Sequence, residues 1–163
     1  MTNEKTITTN RTEMLRLLLN ICRNVEQTDA VSQMRKVAAF LHEHREEMNI
    51  SPDVFGHNRL IVILETILLA VKHIHLRGDI LMAAVLWEVL PENLSNDISS
   101  TFGKSTAHLF ASLHRVDAIE AKSEALKSEN FRNLLVSQAE DMRVILLLIA
   151  KCTAVMRKIK DTE

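Results

Sequence analysis

The chain is short of the residues that make turns and strands. Three Gly, two Pro and no Tyr in 163 residues leave few breakpoints and little strand-type composition, so long helices with short connections are favoured. The two cysteines, Cys22 and Cys152, lie far apart with no second pair, which excludes a disulfide framework and suits reduced thiols in a cytoplasmic protein. Neither charge dominates: 20 Lys+Arg against 21 Asp+Glu give a net charge of −1, so no sequence-wide attraction for DNA or an acidic membrane is expected. The opening MTNEKTITTN has no apolar core and is no signal peptide. What is present is 47% hydrophobic residues, enough for one compact core that buries about 68–70% of the unfolded surface. An all-α, cytoplasmic protein is expected, with a tail over residues 1–9 and a single domain over 10–163.

Helical spacing organises that domain. Met14, Leu17, Leu18 and Ile21 give one apolar face to a helix over about residues 10–25. Val31, Met34, Val37, Ala38 and Leu41 do the same for a second, from about 29 to 48. Residues 49–58, NISPDVFGHN, form the clearest loop, and a loop of about ten residues is a place to look for function. A strongly apolar helix is expected over about 59–75, another over 79–90 that Pro91 stops, a short one up to Phe102, and one over about 106–116. The charged DAIEAKSEALKSEN that follows reads as a surface helix or connector.

The last helical stretch, residues 128–159, is expected to be the element the chain is organised around. From Val144 to Ala150 every residue is apolar, the pattern of a helix buried on every side, although too short for a bilayer, which needs about 20 such residues. Lys151 follows at once. A charge in that position must reach water or meet an acidic partner.

Several motifs fail on spacing. His42/His44 and His73/His75 are two apart, which on a helix points them to different faces, and no HExxH, CxxC or helical His pair occurs. The GKS within FGKST at 102–106 lacks the upstream glycine and strand of a phosphate-binding loop. Adjacent Glu140 and Asp141 diverge on a helix, so a capping or surface role suits them better than paired-carboxylate chemistry. Arg157, Lys158 and Lys160 suit a helix C-terminus.

Three blocks in order carry a family likeness. SENFRNLLVSQAEDMRVILLLIAKCTAVMRKI resembles the "AEN-R-ML-AMA-D-RVV-IKLADRLHNMR-L" segment that closes the N-terminal HD hydrolase domain of the RelA/SpoT homologue family. HLRGDILMAAVLWEVLPEN is similar to that family's "LDADTLIAALLHDVVEDT", and LSNDISSTFGKSTAHLFASLHRV to its "T-EEI---FG--VA-LVEGVTK". MRKVAAFLHEH is a weaker match to the helix that opens the fold. The resemblance implies an HD-type bundle of about seven or eight helices.

In active members such a domain removes the 3′-pyrophosphate of guanosine tetra- and pentaphosphate with a manganese ion held by His, a His-Asp pair and a distant Asp, the ligand types a divalent cation takes. Carried across, the first His falls on Ile63, the pair on Trp87 and Glu88, and the distant Asp on Lys151. The Glu-Asp pair that helps activate water falls on Pro91 and Glu92; only His57, about six residues away, could recover the first ligand. Tryptophan cannot ligate a metal, and a lysine puts positive charge where the cation would sit. The resemblance therefore implies a pseudo-hydrolase with no cofactor, in which Lys151 pairs with Glu88 and Trp87 fills the space of the imidazole. Pro91, Glu92 and His57 form its rim. Its implied partners are an alarmone synthetase domain, in cis or in trans, and a guanine nucleotide; the rival readings are a manganese hydrolase built on His57, Glu88 and Glu92 and an unrelated helical adaptor, in which residues 87–88 and 151 need not meet.

Overall fold

The computed structural model describes residues 30–49, 51–52, 56, 58–122 and 141–161. Among them every regular element is helical: α1 (Ala30–Glu43), α2 (Arg59–His73), α3 (Asp79–Val89), a single 3-10 turn (Glu92–Leu94), α4 (Ser95–Phe102), α5 (Lys104–Lys122) and α6 (Met142–Asp161). This is the expected all-α architecture. The helix expected over 10–25, the rim residue His57 and the segment 123–140 lie outside the described residues.

The centre of the bundle is α3. Every residue from 80 to 89 is buried, because α1, α2, α5 and α6 all pack against it and a helix enclosed on all sides must be apolar all round. Its entry is fixed by Gly78 at φ 72, a conformation that costs glycine little. At its far end Leu90 turns to extended backbone, the conformation a residue before proline prefers.

This corrects the expectation that the last apolar run is buried on every side. In α6 only Val144, Leu147, Ala150 and Ala154 are buried, while Ile149 is 54% exposed. The physical reason is position: α6 lies mainly along α2 at the outside of the bundle, so only the residues of one face meet a neighbour. Of the stretch 128–159, residues 128–140 lie outside the described residues. α6 begins at Met142, where the Asp141 carboxylate accepts from the Arg143 backbone N–H at 2.9 Å, the capping one of the two roles expected of the Glu140–Asp141 pair.

Other bounds shift for local reasons. α1 ends at Glu43, short of Met48, because His44 leaves the helix to pair through Nδ1 with Glu47 at 2.9 Å and to stack on Phe40 at 4.3 Å. The Asn49 N–H then donates to the Val89 carbonyl at 2.7 Å, tying this turn to the end of α3. The Asn58 side chain caps α2 by accepting from the Leu60 and Ile61 N–H groups. Gly103, at φ 94, separates α4 from α5. α5 starts two residues before Thr106 and continues past Val116 to Lys122, so the start of the charged segment is helix.

Candidate functional site

The site follows from one polar residue in the wrong place for water. Glu88 lies on the enclosed helix α3, and its side chain is 2% exposed. Taking a carboxylate out of water costs several kcal/mol unless opposite charge and hydrogen bonds offset it. Two neighbouring helices supply that charge. Lys151, on the flank of α6 that faces α3, donates from Nζ to Glu88 Oε2 at 2.7 Å. Arg59, the first residue of α2, reaches Glu88 Oε1 from Nη1 at 3.4 Å, and its Nε donates to the Ser51 carbonyl at 2.9 Å, tethering the loop that precedes α2.

Trp87 completes the centre. Lys151 Nζ stands 4.1 Å from the centroid of its ring, within the range of a cation–π contact. The indole N–H donates to Asp117 Oδ2 on α5 at 2.6 Å, so three helices, α2, α5 and α6, converge on two consecutive residues of α3. Lys158 fastens the far end of α6 to α2 through Glu65 at 2.8 Å.

The structure thus brings Trp87, Glu88 and Lys151 together. Ile63 is fully buried within the core that α2 shares with α3. Pro91 and Glu92 are exposed, just past the end of α3. Beside them is His114 of α5, whose Nε2 is buried with no hydrogen-bond partner. Burial lowers its pKa, opposed by the charge of Glu92 and a hydrogen bond to the Leu90 backbone. Its ring packs edge-on against Phe110 at 4.6 Å.

Arg59 and Asp117 were missed by the sequence reading. Arg59 had a signal: a buried carboxylate facing a single lysine leaves one oxygen unanswered, and Arg59 is the first residue after the loop at 49–58. Asp117 had none, since only the packing of α5 on α3 brings it to Trp87.

The residues at this centre do not fit a divalent cation. Both Glu88 oxygens face cationic nitrogens, an indole offers no lone pair for a metal, and no three His, Cys, Asp or Glu among the described residues come together to hold one. What the cluster does is bind helices: α2, α3, α5 and α6 are joined through charge-assisted contacts around one buried carboxylate. No helix among the described residues is long and apolar enough to cross a membrane.

The all-helical bundle agrees with an HD domain, and the profile of that family matches residues 13–163. The chain belongs to the HD-domain family. It is 30% identical over 149 residues to the bifunctional (p)ppGpp synthase/hydrolase SpoT of Escherichia coli K12, covering 89% of this chain and 20% of that protein. It is 27% identical over 134 residues to the guanosine-3′,5′-bis(diphosphate) 3′-pyrophosphohydrolase of Vibrio cholerae, covering 80% of this chain and 18% of that protein. The protein of the same name in Haemophilus influenzae is 27% identical over 90 residues, 53% of this chain and 13% of its own length. The chain therefore spans about a fifth of the length of these relatives. No solved structure matches it.

Proposed function

We propose that this chain is a catalytically silent HD domain with a regulatory or interaction role in the metabolism of guanosine tetra- and pentaphosphate, working beside an alarmone synthetase domain in cis or in trans. The observation that carries this reading is the 2.7 Å Lys151–Glu88 ion pair under the Trp87 ring. What supports the reading is that, by the resemblance of the motif blocks, this ammonium group falls at the position of a metal ligand in active relatives. The names of the relatives supply the substrate class, and the match over most of this chain supports its transfer. The rival reading, a manganese hydrolase on His57, Glu88 and Glu92, must free Glu88 from two cations before any metal can bind.

The test is metal analysis of the purified chain with a turnover assay on guanosine tetraphosphate plus manganese. Substoichiometric metal and no release of pyrophosphate are expected. One manganese per chain together with turnover sinks the proposal and favours the rival.

A further inference from the structure

Among the described residues, the outward face of α6 is a large apolar feature that the polar centre does not use. Met142, Ile145, Ile149, Cys152, Met156 and Ile159 follow one another at alternating steps of three and four residues, the seam spacing of helices that pair side by side. Met142 is 66%, Ile149 54%, Met156 63% and Ile159 37% exposed, whereas Val144, Leu147, Ala150 and Ala154 on the opposite side are buried. Between Arg143 and Arg157 the only charge is Lys151, and it turns inward to Glu88. A surface helix ordinarily presents charged and polar residues to water. Here more than three turns carry no charge but Lys151 and no hydroxyl but that of Thr153, which donates to the Ile149 carbonyl at 2.9 Å, and a continuous exposed apolar patch marks an interaction surface.

We propose that this stripe is the contact surface for a second copy of the chain, with the two α6 helices antiparallel and the two-fold axis passing between Ile149 and Cys152. Two features select that occupant. The stripe is self-complementary on reversal: Met142 falls opposite Ile159, Ile145 opposite Met156, and Ile149 opposite Cys152. Each large side chain meets another, as an isologous interface requires. The charges select the direction. A parallel pair would set Arg157 and Lys160 beside their own copies, whereas the antiparallel pair carries Lys160 to the Asp141 end of the other helix and opposes the helix dipoles. The surface is independent of the silent-centre reading, so either can fail alone.

Sedimentation equilibrium of the full chain is expected to give a species of twice the 18.5 kDa chain mass. Ile149→Glu is expected to weaken self-association at least about tenfold, with helical content unchanged because the side chain it replaces is exposed. Met156→Glu, one seam position away, gives the same answer should Ile149→Glu fail to fold. Direction is read by thiol cross-linking in a Cys22→Ser background. Ile149→Cys, facing Cys152 of the other copy, forms a covalent dimer on oxidation, while Met142→Cys with Cys152→Ser does not. A wild-type chain that stays monomeric up to about 0.1 mM, undiminished association of both glutamate variants, or efficient cross-linking through Met142→Cys overturns the proposal. The first of these outcomes would assign the stripe to another segment of the same polypeptide.

Discussion

Helices α3 and α6 carry apolar runs that look alike and meet opposite fates. All ten residues from 80 to 89 are buried, while of the run 144–150 only Val144, Leu147 and Ala150 are. The number of neighbours makes the difference: four helices surround α3, and α6 rests chiefly on α2. Each helix also places one charge against its own pattern. Enclosed α3 keeps Glu88 and draws cations to it from two sides; peripheral α6 sends Lys151 inward and leaves hydrophobic side chains outside. A run of apolar residues therefore reports how little water a helix tolerates in sequence terms, and the number of packed faces decides how much it meets.

The sharpest way to break this contrast is by truncation. Leu86→Ala on α3, at 0% exposure, is expected to cost about 2–5 kcal/mol through lost transfer energy and a residual cavity. Leu147→Ala, on the inner face of α6 and equally buried, is expected to fall in the same range. Ile149→Ala, two residues further, should stay within about 0.5 kcal/mol when measured at chain concentrations low enough to keep the protein monomeric. Urea unfolding curves on the three variants measure this. Comparable losses for Ile149→Ala and Leu86→Ala would mean that α6 is a central element after all.

The next contrast concerns the two ends of the ion pair. Glu88 is far more enclosed than Lys151, whose side chain is 23% exposed. Lys151→Met leaves a buried carboxylate with only the longer Arg59 contact, and is expected to cost about 2–3 kcal/mol, below the 3–5 of a fully buried pair because water reaches the lysine. Glu88→Leu leaves a lysine that keeps the Trp87 ring and can extend toward solvent, so about 1 kcal/mol or less is expected. The double variant should be nearer wild type than Lys151→Met alone. Equal losses from both single variants would show that the pair is symmetric and that exposure plays no part.

Much of this was legible in the residues, and the parts that were not share a cause. The pairing of Lys151 with Glu88 and the company of Trp87 could be expected, because a charge beside an apolar run demands a partner and the aligned motif blocks name one. The bounds of α2 and α3 were close, since Asn58, Gly78 and Pro91 act locally. The enclosure of α3 in place of α6 could not be read, because composition along one helix does not count the helices around it. The end of α1 at Glu43 depended on His44 finding Phe40 and Glu47, and the Trp87–Asp117 hydrogen bond joins residues 30 apart. Both are tertiary choices. His57, one candidate for the rim, lies outside the described residues, so its part in the site is open to the metal and turnover assay alone.

The smallest effect separates the two helices by pH. His114 guards the end of α3 through the Leu90 backbone and the charge of Glu92, and burial holds its pKa below the ordinary 6.5. Between its lowered folded value and about 6.5, the unfolded chain binds a proton that the native chain does not, so stability is full above that pH and is lost as pH falls through the folded value. One proton limits the slope to about 1.4 kcal/mol per pH unit, and solvent access to the half-buried ring reduces it further. At the start of α6 the hydrogen bond from Arg143 lowers the Asp141 carboxyl, and its contribution is lost only as pH falls below the usual carboxylate range. The two helices thus weaken in different windows. His114→Leu removes both the titrating ring and the unpartnered Nε2, so its stability measured by urea unfolding should change less than that of wild type between pH 7 and about 5. Asp141→Ala should leave that window untouched. An unchanged slope in His114→Leu would mean that the ring is protonated at no cost inside the fold, and that the end of α3 is as open to water as the outer face of α6.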